Sequence, residues 1–205
     1  MTNLGKIFAG KGITVVQLNY RLFPKVTFPE FPRDIAKAVA WVYNNIESYN
    51  GDKNKIFLGG HSAGGHLSAL VGLDSSYLNA ERISPDIIKG LIPLEGAYDI
   101  NLMFKDPETA GIWMLSDAFG SDENVWKQAS PVNYVQNCNT RILLIHGSND
   151  NLTPREQTDM FYKKLRDNNK NAEVYTAPGK DHFSVISKMN MNDDVVEKIV
   201  KFIKE

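Results

Sequence analysis

Short apolar runs and helical stripes alternate along the whole chain. Strand-like runs occupy Thr14–Leu18, Ile56–Leu58, Leu91–Leu94, Arg141–His146 and Val174–Ala177. Between them, apolar residues recur at the three- and four-residue spacing of a helix face, around residues 35–46, 67–71, 160–165 and 196–203. This alternation predicts an α/β fold in which helices cover both faces of a mostly parallel sheet. Pro93 is an awkward residue for a central strand because it cannot donate to a neighbouring strand.

The segment from about residue 101 to 134 interrupts this alternation. It carries six large apolar residues between glycines and acidic residues: Met103, Phe104, Trp113, Met114, Phe119 and Trp126. Such a segment either forms a cap over a site or packs onto the body of the domain, and the pattern does not choose between the two. No repeat or linker divides the chain, so we expect one domain over residues 1–205 with this candidate cap inside it.

The sequence G-H-S-A-G at residues 60–64 carries the most specific chemical signal of the chain. It fits the pattern G-x-S-x-G and lies between a strand-like run and a helical pattern. A sharp turn from strand to helix would expose the Ser62 hydroxyl as a nucleophile. We expect Gly60 and Gly64 to be steric requirements of that turn. The N–H of Ala63, at the start of the helix, is the predicted oxyanion donor.

A serine nucleophile needs a base, and the base needs an acid that orients it. In a fold of this kind the acid and then the histidine follow the serine along the chain. Asp150 ends the turn after the run Arg141–His146, and His182 is the only histidine beyond it. Each of the three groups would then lie past the carboxyl end of a different strand, at one edge of the sheet. Asp99 is the rival acid, and its alternative role is to cap the segment that follows it.

The remaining histidines have structural explanations. We expect His61 to hydrogen-bond nearby backbone, His66 to be packed or to cap a helix, and His146 to brace the acid turn. No pair of histidines has the spacing of a helical or hairpin metal site, so the sequence predicts no metal and no other cofactor. The predicted substrate contacts are apolar side chains of the insertion and of the segment after the base: Trp113, Met114 and Phe183.

Composition and charge narrow the function classes. Hydrophobic residues make up 42% of the 205 residues, charged residues make up 23%, and the net charge is −1. This balance is ordinary for a globular protein and argues against nucleic acid or an anionic membrane as the main partner. The single cysteine, Cys138, excludes an internal disulfide, and no apolar run is long enough to span a bilayer. We therefore expect a cytoplasmic protein with a small-molecule substrate. An upstream signal peptide is the alternative, and the oligomeric state stays open.

Several motifs resemble the α/β-hydrolase superfamily, and within it the esterases related to hormone-sensitive lipase. G-H-S-A-G-G-H-L at residues 60–67 is similar to the kynurenine formamidase and feruloyl-esterase-like branches. N-Y-R-L-F-P at 19–24 resembles the segment after the family's fourth strand, and H-G-x-x-D at 146–150 resembles its acid turn. The resemblance covers nearly the whole chain. It implies Ser62 as nucleophile, Asp150 as acid and His182 as base.

One part of the family's pattern has no match. The His-Gly-Gly motif, which supplies oxyanion N–H groups, and the family's first three strands have no counterpart, so the resemblance implies a domain shortened at its N-terminus. Either the chain is a fragment of a longer esterase, which we favour, or its first strand moves inward to pair with the strand before Ser62. Gly12 and the turn at Arg21–Phe23 are candidate substitute donors.

These observations predict a serine hydrolase that cleaves carboxylic esters of small to medium size through an acyl-enzyme on Ser62. An arylformamidase-type amidase is the nearest alternative, because the same three groups serve both acyl bonds. A non-catalytic binding protein on a hydrolase scaffold is the alternative from another class. The presence of all three groups argues against it, and the absent oxyanion motif argues for it.

Overall fold

A four-stranded parallel sheet forms the centre of the molecule. The computed structural model describes residues 2–107, 109 and 113–205, and the side chains of Thr2, Asn3, Trp113 and Met114 lie outside this description. The strands are adjacent in chain order: β1 (Ile56–His61), β2 (Ile88–Leu94), β3 (Arg141–Gly147) and β4 (Ala172–Ala177). All neighbouring pairs are parallel. The segments that follow the strands therefore gather at one edge of the sheet.

Helices connect the strands and cover both faces of the sheet. In chain order they are α1 (Thr2–Gly10), α2 (Glu30–Asn45), α3 (Ala63–Leu73), α4 (Ser75–Ala80), α5 (Ile100–Lys105), α6 (Trp113–Phe119), α7 (Glu123–Gln128), α8 (Arg155–Asp167), α9 (Ser184–Ser187) and α10 (Asp194–Lys204). Short 3₁₀ turns occupy Ile46–Tyr49, Pro85–Ile87 and Pro131–Asn137. The predicted α/β fold with a parallel sheet is confirmed. Within the described part of the chain, no helix has the length and apolar character that crossing a membrane requires.

Each face of the sheet has its own apolar core. On one face, Leu70 of α3 and Phe161 of α8 pack in a cluster with Ile142 of β3. On the other face, Val196 of α10 packs in a cluster with Leu143. Because side chains of a strand alternate between faces, the neighbouring residues Ile142 and Leu143 serve opposite cores. Burial on both faces explains why the strands read as continuous apolar runs in the sequence.

The predicted first strand at Thr14–Leu18 is wrong. These residues form neither strand nor helix, and Val15 and Val16 are exposed to 37% and 42%. Among the described residues β1 pairs with β2 alone, so β1 is an edge strand rather than a strand covered by an inward-shifted neighbour. An apolar run becomes a strand only where another strand accepts its backbone hydrogen bonds, and the run itself does not specify that partner.

Pro93 does lie in a strand with neighbours on both sides. It is aligned with Gly60 of β1. Between β2 and β3, Leu91 pairs with Ile142 and Leu94 pairs with Ile145, but Pro93 has no partner in β3. The missing proline N–H explains this interruption, which is confined to one side of β2.

The insertion at residues 101–134 forms α5, α6, α7 and a 3₁₀ turn. Phe119 lies against Phe28, with ring centroids 5.9 Å apart, and against His66 of α3 at 5.5 Å. This part of the insertion therefore packs onto the body of the domain. The side chains of Trp113 and Met114 lie outside the described part of the chain, so a cap formed by them stays a prediction.

Candidate active site

A strained turn between β1 and α3 presents Ser62. The φ of Ser62 is 55° and its ψ is −118°, a left-handed conformation that side-chain-bearing residues rarely adopt. Ser62 is the single residue between the strand and the helix. Its N–H donates to the carbonyl of Leu94 at 2.8 Å, which ties the turn to the end of β2. Strain that the surrounding structure holds in place is typical of functional positions.

Close backbone packing requires glycine at two positions beside this turn. A Cβ on Gly60 would lie 2.5 Å from the backbone of Gly64, and a Cβ on Gly65 would lie 2.6 Å from the carbonyl oxygen of Leu94. A Cβ on Gly64 would meet no atom within 4 Å. The expectation for Gly60 is therefore confirmed, and the expectation for Gly64 is wrong. Gly64 supplies the backbone that Gly60 approaches, and the second steric requirement lies at Gly65.

The N-terminus of α3 offers a backbone donor beside Ser62. Ala63 is the exposed first residue of the helix, where N–H groups lack an intrahelical acceptor. Two other candidate donors are already engaged. The N–H of Gly12 donates to the carbonyl of Ala9 at 2.9 Å, and the N–H of Arg21 donates to Asp34 Oδ2 at 3.0 Å. The N–H groups of Gly12 and Arg21 are thus engaged elsewhere, and the N–H of Ala63 stays the predicted oxyanion donor.

Ser62, His182 and Asp150 lie in one continuous chain of hydrogen bonds. Oγ of Ser62 is 3.0 Å from Nε2 of His182, and Nδ1 of His182 is 2.9 Å from Oδ2 of Asp150. His182 is 2% exposed. Its loop is held by Asp181, whose carboxylate accepts the N–H groups of Phe183 and Ser184 at 3.0 and 2.8 Å. The structure thus brings together the three groups that the sequence predicts.

Local hydrogen bonds hold Asp150 in its ionised form. Its side chain is fully buried, and its Oδ1 accepts the N–H groups of Leu152 and Thr153 at 2.8 and 3.0 Å. Burial opposes the charged form, but the hydrogen bonds from His182 and from these two N–H groups outweigh it, so the pKa of Asp150 lies below its ordinary value. An ionised and fixed carboxylate can orient an imidazole.

Asp99 caps the segment that follows it, which was its alternative predicted role. Its Oδ1 accepts the N–H of Leu102 at 3.0 Å at the start of α5. Its own N–H donates to Oε1 of Gln157 at 2.8 Å. These contacts fix the entry to the insertion, and the acid beside His182 is Asp150.

A second carboxylate, Glu95, was not among the predicted site residues. It is the first residue after β2 and its side chain is fully buried. Its Oε2 lies 3.0 Å from Nε2 of His61 and 3.5 Å from Nδ1 of His182, and its Oε1 accepts the N–H of Gly147 at 2.8 Å. The sequence did offer one sign of its role, because Glu95 directly follows the strand-like run Leu91–Leu94, whereas Asp99 lies further along the chain.

His61 binds this carboxylate, so the expectation that it hydrogen-bonds backbone is wrong. His61, Glu95 and His182 each place one potential ligand atom within 4.8 Å of the other two, a spacing that one metal ion could bridge. Two imidazoles and a carboxylate would suit zinc. However, His61 is already hydrogen-bonded to Glu95, and His182 to Asp150. The cluster is therefore better described as a hydrogen-bonded network.

The other two histidines are buried. Nε2 of His66 lies 2.6 Å from the carbonyl oxygen of Ala129, and burial lowers the pKa of His66 to about 4. His66 is thus packed, as expected. Nδ1 of His146 lies 2.8 Å from Oγ1 of Thr158, and its Nε2 lies 3.8 Å from Oδ2 of Asp150. Burial lowers the pKa of His146 as well, so a neutral ring packs beside the acid turn.

Comparisons with known proteins identify the family to which this chain belongs. Residues 1–165 match the model of the BD-FAE family. A probable isoprenylcysteine alpha-carbonyl methylesterase, ICMEL1 of Oryza sativa subsp. japonica, is 28% identical over 98% of this chain and 51% of its own length. The probable carboxylic ester hydrolase LipM of Mycobacterium tuberculosis is 31% identical over 80% of this chain and 40% of its own length. The chain therefore spans about half the length of the curated relatives it matches.

Solved esterase structures have the same fold. A truncated form of a carbohydrate esterase from gut microbiota gives a TM-score of 0.80 at 22% identity and covers 98% of this chain and 77% of its own. An esterase of Pyrobaculum calidifontis gives 0.77 at 22% identity, over 98% of this chain and 68% of its own. With the family model matched over residues 1–165, this chain belongs to the BD-FAE family and has the α/β-hydrolase fold that its motifs predict.

Proposed function

We propose that this chain hydrolyses carboxylic esters of small to medium size through an acyl-enzyme on Ser62. The observation that carries the proposal is the hydrogen-bonded chain from Ser62 through His182 to Asp150, built on a strained strand-to-helix turn. The relatives named above are a methylesterase and a carboxylic ester hydrolase. Their names agree on the bond and differ in the ester, so they support the reaction class and leave the alcohol and acyl groups open.

The first step is attack by Ser62 on the ester carbonyl. The Oγ–H of Ser62 donates to Nε2 of His182, so the proton moves to this nitrogen as the C–O bond forms. His182 becomes an imidazolium whose Nδ1–H donates to Asp150. Asp150 keeps Nε2 available as the acceptor in the resting state and stabilises the positive charge that develops.

The carbonyl oxygen becomes an oxyanion in this step and needs a donor. The Ala63 N–H follows the nucleophile directly and lies at the positive end of α3. A single donor of this kind typically contributes about 10²–10³ in rate. We assign Ala63 this role.

The intermediate then breaks down and the enzyme is regenerated. Nε2 of His182 returns its proton to the leaving alkoxide, which departs as the alcohol and leaves an acyl group on Ser62. His182 next takes a proton from a water that attacks the acyl carbonyl. The acid leaves, and Ser62 recovers its proton from His182.

Apolar side chains beside the reacting groups are the proposed substrate contacts. Phe183 is 68% exposed, and its ring lies edge-to-face against His182 with centroids 5.3 Å apart. An acyl chain bound beside His182 would cover this ring. Trp113 and Met114 stay proposed contacts from the insertion, and their side chains lie outside the described residues. One domain over residues 1–205 with this candidate cap is likewise our proposal.

We also propose a small-molecule ester as partner and the cytoplasm as location. A net charge of −1 supports the first, since nucleic acid binding relies on basic surfaces. The lack of a second cysteine fits a reducing compartment. Cell fractionation with an antibody to the native protein tests the location, and recovery in a secreted fraction would overturn it.

A panel of p-nitrophenyl esters from acetate to octanoate, together with fluorophosphonate labelling, tests the function. We expect turnover of the shorter esters and a covalent label that maps to Ser62. A folded chain that hydrolyses none of the esters and takes no label would instead support the non-catalytic binding protein. Circular dichroism of the same sample shows whether the chain is folded.

A further inference from the structure

Glu95 brings a second carboxylate to the side of His182 that faces away from Ser62. Nδ1 of His182 has Oδ2 of Asp150 at 2.9 Å and Oε2 of Glu95 at 3.5 Å. Both carboxylates are fully buried. A buried carboxylate is unfavourable unless several donors surround it. The proposed mechanism so far uses Asp150 alone and leaves Glu95 without a role.

The protein holds Glu95 in this place at a cost in backbone strain. Its φ is 50°, in the left-handed region that residues other than glycine rarely adopt. Its N–H donates to the carbonyl of Ile145 at 3.0 Å, and its carbonyl accepts the hydroxyl of Thr153 at 3.2 Å. The carboxylate is fixed separately, since Oε1 accepts the N–H of Gly147. Hydrogen bonds thus hold both the backbone and the carboxylate of Glu95, and its Oε2 lies beside the imidazoles of His61 and His182.

His61 also contacts Oε2 of Glu95. Its ring lies beside that of His182, with centroids 4.6 Å apart, and its Nε2 is 3.0 Å from Oε2 of Glu95. With its proton on Nε2, His61 donates to the carboxylate and prevents it from rotating away from His182. The motif residue before the nucleophile therefore contacts the base through Glu95.

We propose that Glu95 is a positioning residue for His182. It shares with Asp150 the hydrogen bond from Nδ1–H, adds negative charge beside the imidazolium, and takes over this hydrogen bond when Asp150 is neutralised. The proposal deepens the proposed function and rests on His182 acting as the base. No bond to substrate is assigned to Glu95.

The charge on His182 depends on every titratable group that faces it. These groups come from the ends of β1, β2 and β3 and from its own loop: His61, Glu95, His146, Asp150 and Asp181. Of these, Glu95 and Asp150 are the carboxylates whose oxygens approach Nδ1. Neutralising either one destabilises the imidazolium and favours the neutral ring at lower pH.

The test compares Glu95→Gln, Asp150→Asn and the double variant in the full chain. In Glu95→Gln the amide oxygen can keep the hydrogen bond from Gly147, so we expect the fold to be retained while the charge is lost. We expect this variant to lower kcat about 10-fold with little change in KM, and to move the acid limb of the kcat/KM profile to lower pH.

Asp150→Asn should lower kcat about 10²-fold. A loss of roughly 10⁴-fold is expected where no other carboxylate can act, and the double variant should reach that full loss. Glu47→Gln is the matched control, because this exposed carboxylate pairs with Lys53 before β1 and should leave the profile unchanged.

An NMR titration of the His182 ring in the same variants separates this proposal from the proposed function. We expect the Nδ1 proton resonance to shift in Glu95→Gln and the imidazolium to lose its proton at lower pH, whether or not an ester is turned over. If the wild type is active but Glu95→Gln leaves the His182 titration and the acid limb of the kcat/KM profile unchanged, the positioning role of Glu95 is wrong and the proposed function stands. A full loss of activity in Asp150→Asn with Glu95 present would also overturn this positioning role. A shifted titration in a chain that hydrolyses no ester would overturn the proposed function instead. If Glu95→Gln fails to fold, the His182 titration is measured in Glu95→Asp, whose shorter side chain withdraws the carboxylate from Nδ1 of His182. Loss of the His182 proton at lower pH in Glu95→Asp would support the proposal, and an unchanged titration would overturn it.

Discussion

Oγ of Ser62 lies 3.0 Å from Nε2 of His182, although 120 positions separate these residues in the chain. Ser62 follows β1 and His182 follows β4, the two outer strands of the described sheet. Strands at the two ends of a four-stranded sheet lie about 14 Å apart, given a spacing of about 4.8 Å between neighbours. The loop after β4 therefore has to pass over the ends of β3 and β2, where it meets Asp150 and Glu95.

Removing the Ser62 hydroxyl should abolish ester hydrolysis. Ser62→Ala is expected to lower kcat by about 10⁶-fold, as far as the background rate allows, because the nucleophile is lost while the fold remains. Ser68→Ala, on the helix that follows Ser62, is the matched control, since its hydroxyl donates to the carbonyl of Gly65 at 2.9 Å. The control should keep kcat nearly unchanged and cost about 1 kcal/mol of unfolding free energy. Hydrolysis of p-nitrophenyl acetate measures kcat in the two variants, and urea unfolding measures their stability. An equal loss of kcat in both variants would contradict the assignment of Ser62 as nucleophile.

Alanine should be tolerated at one glycine of the turn and rejected at two others. Gly60→Ala and Gly65→Ala would each place a Cβ within 2.6 Å of backbone atoms, so we expect losses of about 1–3 kcal/mol or more in the free energy of unfolding. Gly64→Ala has open space and replaces a helical glycine, so it should leave stability unchanged or raise it by about 0.5–1 kcal/mol. Urea unfolding of the three variants measures the difference. Equal destabilisation by Gly64→Ala and Gly60→Ala would show that the turn is built differently.

Burial of His66 should make stability fall in mild acid. Its pKa is about 4 in the folded state against 6.5 as its ordinary value, so the unfolded chain binds more protons between these pH values. The contribution of His66 is therefore complete above about pH 6.5 and is lost as the pH falls towards 4, by about 3 kcal/mol in total. His66→Gln keeps a donor for the carbonyl of Ala129 and removes the titration, so its unfolding free energy should fall less steeply over this range. His146 also has a lowered pKa, so some dependence of the unfolding free energy on pH should remain in His66→Gln. An identical dependence in the wild type and in His66→Gln would contradict the prediction.

Phe183 should matter for long acyl chains and not for short ones. Its ring is exposed beside His182, and covering part of it would contribute about 1 kcal/mol to binding. Phe183→Ala should thus raise KM for the octanoate ester about 5-fold and leave KM for the acetate nearly unchanged. Tyr49→Ala, which removes an exposed aromatic ring from the turn after α2, is the matched control. A uniform change of KM across the ester series would place the acyl chain elsewhere.

Much of the fold was predictable because its signals are local. Continuous apolar runs flanked by turns predicted the four strands, and their alternation with helical stripes predicted the parallel sheet. Thr14–Leu18 has the same kind of pattern and is not a strand, since pairing depends on a neighbour that the run does not encode. Pro93 shows the reverse case, because β2 tolerates it by interrupting the register on one side only.

The residues that meet at Ser62 were predicted from motif and chain order, and their surroundings were not. His182 and Asp150 each follow a strand, so their meeting place follows from the parallel sheet. Glu95 also follows a strand, but nothing in the sequence shows that its carboxylate turns towards His61. The steric role of Gly65 is hidden for the same reason, since it depends on how closely α3 approaches the carbonyl of Leu94.

Detection of the acyl-enzyme itself tests the proposed mechanism most directly. The chain is mixed with p-nitrophenyl acetate, quenched in acid within its first turnovers, and examined by intact mass and peptide mapping. The acyl-enzyme mechanism predicts a burst of p-nitrophenol and one added acetyl group on Ser62, and neither should appear in Ser62→Ala. Turnover with no acyl adduct on Ser62, or an adduct on another residue that persists in Ser62→Ala, would contradict it.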